Sequence, residues 1–346
     1  MYTPLGAATL STGETLLCGV VLTPDAEWAS RIRPFLAHKQ PAWRAHIDAS
    51  LERPLDALKT RFYVGTLGNS AGPMVTCVMV AGARGVGLLG YVFTAPEHRG
   101  KGAYTALMAH QMEDCRKGSS ILTLTTNPNS TAFRIYERFG FQRIDASSGR
   151  MKWLAHPDAE TEWFRSASSD ELRLHPLAWD DWPTLNLTAL RVPAPDEPLE
   201  ELPRSWALYL KTNGTAEGTF ADVHPDWAHA WGRRPRERAT HAVTVRTPTG
   251  AVAGWLLLHP DSLSMGTAQH VELYLHPTFV ETGRPLLSRA LRELPVNDGV
   301  LTTYTSQSDG YRASLMREAG FHHAAALPSW IEHAGTRHDV HVFRRG

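Results

Sequence analysis

Hydrophobic positions along this chain recur at two periods, and the places where one period gives way to the other mark its elements. Glu14 to Leu22 is an apolar run of strand length, and Pro24 then opens a stretch in which Trp28, Ile32, Phe35 and Leu36 fall on one side of a helix. Trp43, Ile47 and Leu51 continue at helical spacing. Arg61 to Leu67 and Met74 to Val80 read as strands, and the turn-rich Gly68-Asn69-Ser70-Ala71-Gly72-Pro73 between them predicts an antiparallel hairpin. Val86 to Thr94 is a further strand. It runs into Pro96-Glu97-His98-Arg99-Gly100-Lys101-Gly102, after which Tyr104, Leu107, Met108, Met112 and Cys115 take helical spacing. Ile121 to Thr125 is again strand-like, and the helix after Asn129 ends at Gly140, which suits a left-handed cap before the strand Phe141 to Ile144.

The stretch 156–170 is polar and follows neither period, which predicts a linker. Beyond it the series repeats. Glu171 to Leu174 is a short strand before a helix; His241 to Arg246 and Ala251 to His259 flank the turn Thr247-Pro248-Thr249-Gly250 as a second hairpin. Gln269 to Leu275 leads to Pro277 and a helix from Pro285 to Leu294; Val300 to Thr305 and a helix ending Ala319-Gly320-Phe321 follow. Gly140-Phe141 and Gly320-Phe321 lie about 180 residues apart, and Pro96 and Pro277 keep nearly that offset, which indicates an internal duplication. The expectation is two tandem α/β domains, each a mixed central sheet flanked by helices, over 1–155 and 171–346.

Composition narrows the function classes. Lys plus Arg equals Asp plus Glu at 35 each, so no global field draws nucleic acid or an anionic membrane, and a polyanion has to be met locally. Arg233-Arg234-Pro235-Arg236 reads as a solvated loop. Three distant cysteines, Cys18, Cys77 and Cys115, fit a reducing compartment, and no basic leader or long apolar span is seen, which predicts a cytoplasmic protein, monomer or homodimer. The 17 histidines show no metal-ligand spacing, so no metal is expected.

The glycine loop between strand and helix carries the chemistry. Such a loop leaves backbone N–H groups unpaired at the positive end of a helix, where glycine lets a phosphate approach closely. A P-loop would need Gly at Ala95 and Ser or Thr at Gly102, and a dinucleotide fingerprint would need Gly or Ala at Thr105. Both fail. Arg99-Gly100-Lys101-Gly102-Ala103-Tyr104 resembles instead the loop of the GNAT acetyltransferases: Arg99 and Gly102 match, while Tyr104 stands where that family has a small residue. Downstream, Asn129, Ala132, Tyr136 and Gly140-Phe141 resemble the family's second signature at the same spacing. The resemblance implies an acetyl-CoA or other acyl-CoA co-substrate, its pyrophosphate on the amides of Arg99, Gly100, Lys101, Gly102, Ala103 and Tyr104. It also implies a pantetheine arm between the strands Leu88–Thr94 and Leu122–Thr125, an acyl carbonyl near Phe93 and Thr94, and a contact from Asn129, which is equally well placed as a helix N-cap. Tyr136 corresponds to the general acid that protonates the departing thiolate, although a tyrosine facing the sheet is also ordinary core.

The reaction so implied is acyl transfer to a primary amine of a small molecule in a ternary complex; the alternative is a coenzyme A-binding sensor or scaffold without turnover. An amine with a pKa near ~10.4 has to lose a proton at a cost of roughly 4.6 kcal/mol at pH 7, yet neither strand carries an acid or histidine. Asp48, His46 or a water chain are the candidates. In the second copy the loop Pro277 to Pro285 lacks paired glycines, puts Glu281 where a phosphate would be repelled and has Met316 in place of Tyr136, so a degenerate copy is expected. Trp206, Trp227 and Trp231, in its unpatterned centre, read as core or pocket lining.

Overall fold

A computed structural model of the chain describes residues 1–144, 149–165, 168, 170–189, 242–261, 268–294, 299–306, 310–333 and 336–346. Trp206, Trp227, Trp231 and Arg233 to Arg236 lie outside the described residues. The chain forms two compact units, one of Met1–Glu162 with Ala178–Leu187, the other of Trp163–Leu177 with Thr188–Gly346. Both are mixed α/β units.

In the first unit the elements run β1 (Tyr2–Thr9), β2 (Thr15–Leu22), α1 (Ala26–Phe35), α2 (Pro41–Glu52), β3 (Lys59–Leu67), β4 (Met74–Ala83), β5 (Val86–Thr94), α3 (Ala103–Cys115), β6 (Ile121–Thr125), α4 (Thr131–Arg138), β7 (Gln142–Arg143) and β8 (Arg150–Leu154). The sheet has the order β1-β2-β3-β4-β5-β6-β8-β7, and only β5 and β6 pair in parallel. Central strands buried on both faces need continuous apolar runs, which is why β4 reads as Val75 to Ala81 with a single Thr76. Leu107, Met108, Met112 and Cys115 of α3 and Phe133 and Tyr136 of α4 close one face of the sheet as a single core.

The second unit holds β9 (Arg173–Pro176), β10 (Ala242–Arg246), β11 (Val252–Pro260), β12 (Ala268–Leu275), β13 (Val300–Ser306), β14 (His322–His333) and β15 (Thr336–Arg345). Its sheet order, β9-β10-β11-β12-β13-β15-β14, repeats β2-β3-β4-β5-β6-β8-β7, with the parallel pair again in the middle, β12 with β13. A 3-10 turn follows the first parallel strand in each unit, at Pro96–His98 and Pro277–Phe279. Topology thus carries the duplication suggested by the spacing.

Several expectations are corrected. The hydrophobic pattern does not predict β1, β8, β14 or β15, all of which are strands. β1 is an edge strand with no continuous buried face, and β8 buries only Met151 and Trp153. The strand expected over Phe141–Ile144 shrinks to the two residues of β7. The polar stretch 156–170 contains a short helix, α5 (Ala159–Trp163). Following β9, α6 (Trp182–Ala189) is the helix expected there, but its residues through Leu187 pack in the first unit. In the second unit α7 (Val280–Arg292) starts well before Pro285, which lies inside it rather than opening it; α8 (Gly310–Glu318) is the last helix.

Candidate functional site

The site grows from the end of β5. Thr76 on β4 donates to the Phe93 carbonyl at 3.3 Å and its hydroxyl lies 3.0 Å from that of Thr94, while Arg99 Nε donates back to the Thr94 carbonyl at 3.0 Å. The chain then makes the 3-10 turn and passes through Gly100 (φ 75) and Gly102 (φ 87). Nothing stands within 4 Å of where a Cβ would lie at either glycine, so the requirement is conformational rather than steric. Gly102 is the N-cap of α3 and offers no side-chain acceptor. Ala106 makes the first intrahelical bond, to Gly102, and the amides of Ala103, Tyr104 and Thr105 have no hydrogen bond to any described group. Three unpaired N–H groups at the positive end of a 13-residue helix are an anion site by construction.

These amides border an open groove of about 620 Å³. Its walls are Val92 to Thr94, the loop around Arg99, Gly100 and Gly102 with Ala103 to Thr105, and the face of α4 presenting Thr131, Ala132, Ile135 and Arg138. No Asp or Glu is among the lining residues, whereas Arg99, Arg138 and His98 are. The local positive field that a neutral protein needs for a polyanion is therefore present. Arg138 and His98 were not anticipated, because their positions only acquire meaning once α4 lies across the loop. His98 Nδ1 is buried with no hydrogen-bond partner among the described groups.

Behind the groove the parallel strands part. Their register runs from Val86 with Ile121 to Leu88 with Thr123 and then stops, although both strands continue. β5 also carries a bulge: the register to β4 shifts between Cys77 and Met79, and Tyr91 takes φ 57. A tyrosine in the left-handed region costs on the order of 1–2 kcal/mol and has to be held by its surroundings. Lys39 supplies one restraint, donating to the Val92 carbonyl at 3.1 Å. His46 supplies another, with Nδ1 3.0 Å from Tyr91 Oη and Nε2 3.3 Å from Thr60 Oγ1. At the mouth, the ring of Phe93 meets Phe35 edge-on at 5.1 Å and His38 at 4.0 Å, with the Arg99 guanidinium 5.7 Å from its centre.

Among the expected residues, Phe93, Thr94, Arg99, Gly100, Gly102, Ala103 and Tyr104 line the groove. Lys101, Asn129 and Tyr136 do not. The Lys101 carbonyl accepts from the Ser11 amide at 3.3 Å, so that residue pins the loop to the N-terminal hairpin. Asn129 is not the N-cap expected of it: Ser130 caps α4, accepting from the Phe133 amide at 3.1 Å, and Asn129 is exposed in the turn before it. The Tyr104 ring, which stands where a small residue was expected, is buried in the core and meets the Tyr136 ring edge-on at 6.1 Å. Burial pushes the Tyr136 hydroxyl up to about 12, against a smaller lowering by the Tyr104 hydroxyl. At neutral pH it is wholly protonated and so a donor. Of the candidate bases, His46 is fully buried, with Nδ1 3.0 Å from Tyr91 Oη and Nε2 3.3 Å from Thr60 Oγ1, and Asp48 pairs with Arg33 at 3.0 Å on the surface.

The second unit repeats the frame with different residues at the matching positions. Phe141 N donates to Tyr136 O at 3.1 Å, and Phe321 N to Met316 O at 2.9 Å, after left-handed Gly140 and Gly320, so Met316 holds the position of Tyr136. Met316 is fully buried, and the N-terminus of α7 carries Glu281 in its first turn.

Residues 79–144 match the family model described as acetyltransferase (GNAT) domain. No curated protein matches the chain. Solved structures that resemble it include the spermidine/spermine N-acetyltransferase SpeG from Vibrio cholerae, at 14% identity over 52% of this chain and 94% of that one, with a TM-score of 0.34. Another is yncA from Salmonella typhimurium, solved with its cofactor acetyl-CoA, at 15% identity over 51% and 93%, TM-score 0.35. An acetyltransferase of the GNAT family from Staphylococcus aureus Mu50 aligns at 10% identity over 40% and 99%, TM-score 0.33.

Proposed function

We propose, from the premise that residues 79–144 are a GNAT acetyltransferase domain, that the first unit transfers an acetyl group from acetyl-CoA to a primary amine of a small molecule. The observation that carries this reading is the groove itself. Unpaired amides of Ala103 to Thr105, with Arg99 and Arg138 beside them, suit a pyrophosphate, and the opening between β5 and β6 past Leu88 and Thr123 suits a narrow pantetheine arm. The bulge at Tyr91 leaves backbone groups of β5 outside the ladder, where an N–H can hold the acyl oxygen as charge builds on it. Tyr136, protonated across the physiological range, is the group to donate to the departing sulfur. A hydroxyl with so high a pKa stabilises a thiolate by hydrogen bonding and gives up its proton late.

Calorimetry with acetyl-CoA, followed by thiol release in the presence of a panel of primary amines including polyamines and amino acids, tests the reading. Binding together with amine-dependent thiol release supports it. Binding without release from any amine favours instead a coenzyme A-binding sensor or scaffold.

A further inference from the structure

An ammonium has to lose a proton before it can attack a thioester, while His46 is buried in the core and Asp48 is paired with Arg33. The tight turn between α1 and α2 offers a different group. Leu36 caps α1 with its amide on the Ile32 carbonyl at 3.0 Å, and the Lys39 amide donates to Leu36 O at 3.0 Å, so residues 36–39 form a rigid corner. Lys39 fastens that corner to the β5 bulge through the Val92 carbonyl. Between these two anchors His38 is exposed, with its ring 4.0 Å from that of Phe93. Phe93 itself lines the groove at the end of β5.

We propose that in the acetyl transfer inferred above, on which this step rests, His38 takes the proton from the incoming amine at the Phe93 end of the groove. The placement answers what the chemistry needs. The amine has to reach the acyl carbon from outside the groove, because the β5–β6 gap and the loop are taken up by the coenzyme. Phe93 has the Arg99 guanidinium of the loop 5.7 Å from its ring centre and the His38 ring of the α1–α2 corner 4.0 Å from it. An imidazole also has to be neutral to act. Loss of some of its hydration first, then the charges of Lys39 on its own turn and of Arg99 on the loop, lower its pKa below the ordinary histidine value; a hydrogen bond with the Phe35 backbone pulls the other way. His38 is therefore predominantly the free base at neutral pH.

The step balances as follows. One proton moves from R–NH3+ to a ring nitrogen of His38, and the freed lone pair forms the C–N bond. The C–S bond breaks, its electron pair leaves with sulfur, and Tyr136 supplies the proton that makes the thiol. The proton still carried by nitrogen returns to Tyr136, and His38 releases its own to water.

The test compares the intact protein with His38→Gln and His38→Phe, measuring kcat/KM for an accepted amine from about pH 5 to about pH 9 and the acetyl-CoA Kd by calorimetry. The expected result is a wild-type profile that falls on the acid side, below the ordinary histidine range, as His38 becomes charged. Both variants should lose on the order of 10²-fold at neutral pH, keep the acetyl-CoA Kd, and recover rate with rising pH as free amine accumulates. His38→Phe keeps a ring on Phe93, so recovery by this variant alone would show a packing role and overturn the proposal. Full activity and an unchanged acid limb in both variants would overturn it too, while leaving the acetyltransferase reading standing. Acetyl-CoA binding with no transfer by the wild type to any amine would remove that reading and His38's role with it.

Discussion

Tyr136 and Met316 occupy one place in two copies of a helix, held by the same closing hydrogen bonds, and they separate what packing requires from what chemistry requires. Both are buried, so the position calls for a large side chain; only one carries a proton. Tyr136→Phe keeps the volume and removes the donor, so the acetyl-CoA Kd should hold while kcat falls by ~10²- to 10⁴-fold. Unchanged turnover in a chemistry-limited assay would return Tyr136 to the core. Its raised pKa also sets a pH expectation. Because the acid form persists until pH approaches about 12, activity should show no decline attributable to Tyr136 between neutral pH and about 10. Gly102 is the second such residue. Its left-handed backbone favours glycine, and a carboxylate there would face the same amides as the phosphates. Gly102→Asp should therefore abolish acetyl-CoA binding in calorimetry, through charge and strain together.

Among the elements, those with a long single-period pattern were legible in the sequence and the others were not. α2, α3, β5 and β6 lie where their spacing placed them: α3, β5 and β6 bury against one core, and α2 buries Ile47 and Leu51 along one face. β1 and β8 leave no clear pattern because an edge strand or a five-residue strand gives alternation too little room. Pro285 misled for another reason: proline favours a first turn locally, but Leu287 and Leu291 bury deeply enough for α7 to continue around it. The loop residues of the site were legible from their motif. His98, Arg138 and His38 were not, since each is defined by a neighbour far along the chain. The segment Ala178–Leu187 is the strongest case of such long-range meaning. Trp179 N donates to Asp56 at 2.8 Å, Asp180 pairs with Arg84, Asn186 donates to Thr123 at 2.8 Å, and Trp182 packs on His46 at 4.6 Å. None of these pairs leaves a periodic trace. Trp182 is fully buried, so Trp182→Ala should destabilise the first unit by about 3–5 kcal/mol in urea titration. It should also loosen His46, and through it the strained Tyr91.

At the scale of the molecule, one strand order is used twice, and among the described residues the paired left-handed glycines of the loop occur in the first copy and not at the matching turn of the second. In the first unit the glycines turn the chain so that three amides are left open; in the second, the 3-10 turn passes directly into α7 at Val280, and Glu281 opposes the helix dipole's attraction for an anion. Each unit has its own apolar core around its own parallel pair. Two measurable consequences belong to this scale. Calorimetry should find one acetyl-CoA per chain. In a thermal scan, acetyl-CoA at ~100 times its Kd should stabilise the unit that binds it by about 2.7 kcal/mol. If the units melt in separate transitions, only the one assigned to the first unit, identified by its loss in Gly102→Asp, should move. Two equivalent sites per chain, or a shift of both transitions in a variant that cannot bind at the first loop, would show that the second copy retains a coenzyme site built from residues other than the missing glycines.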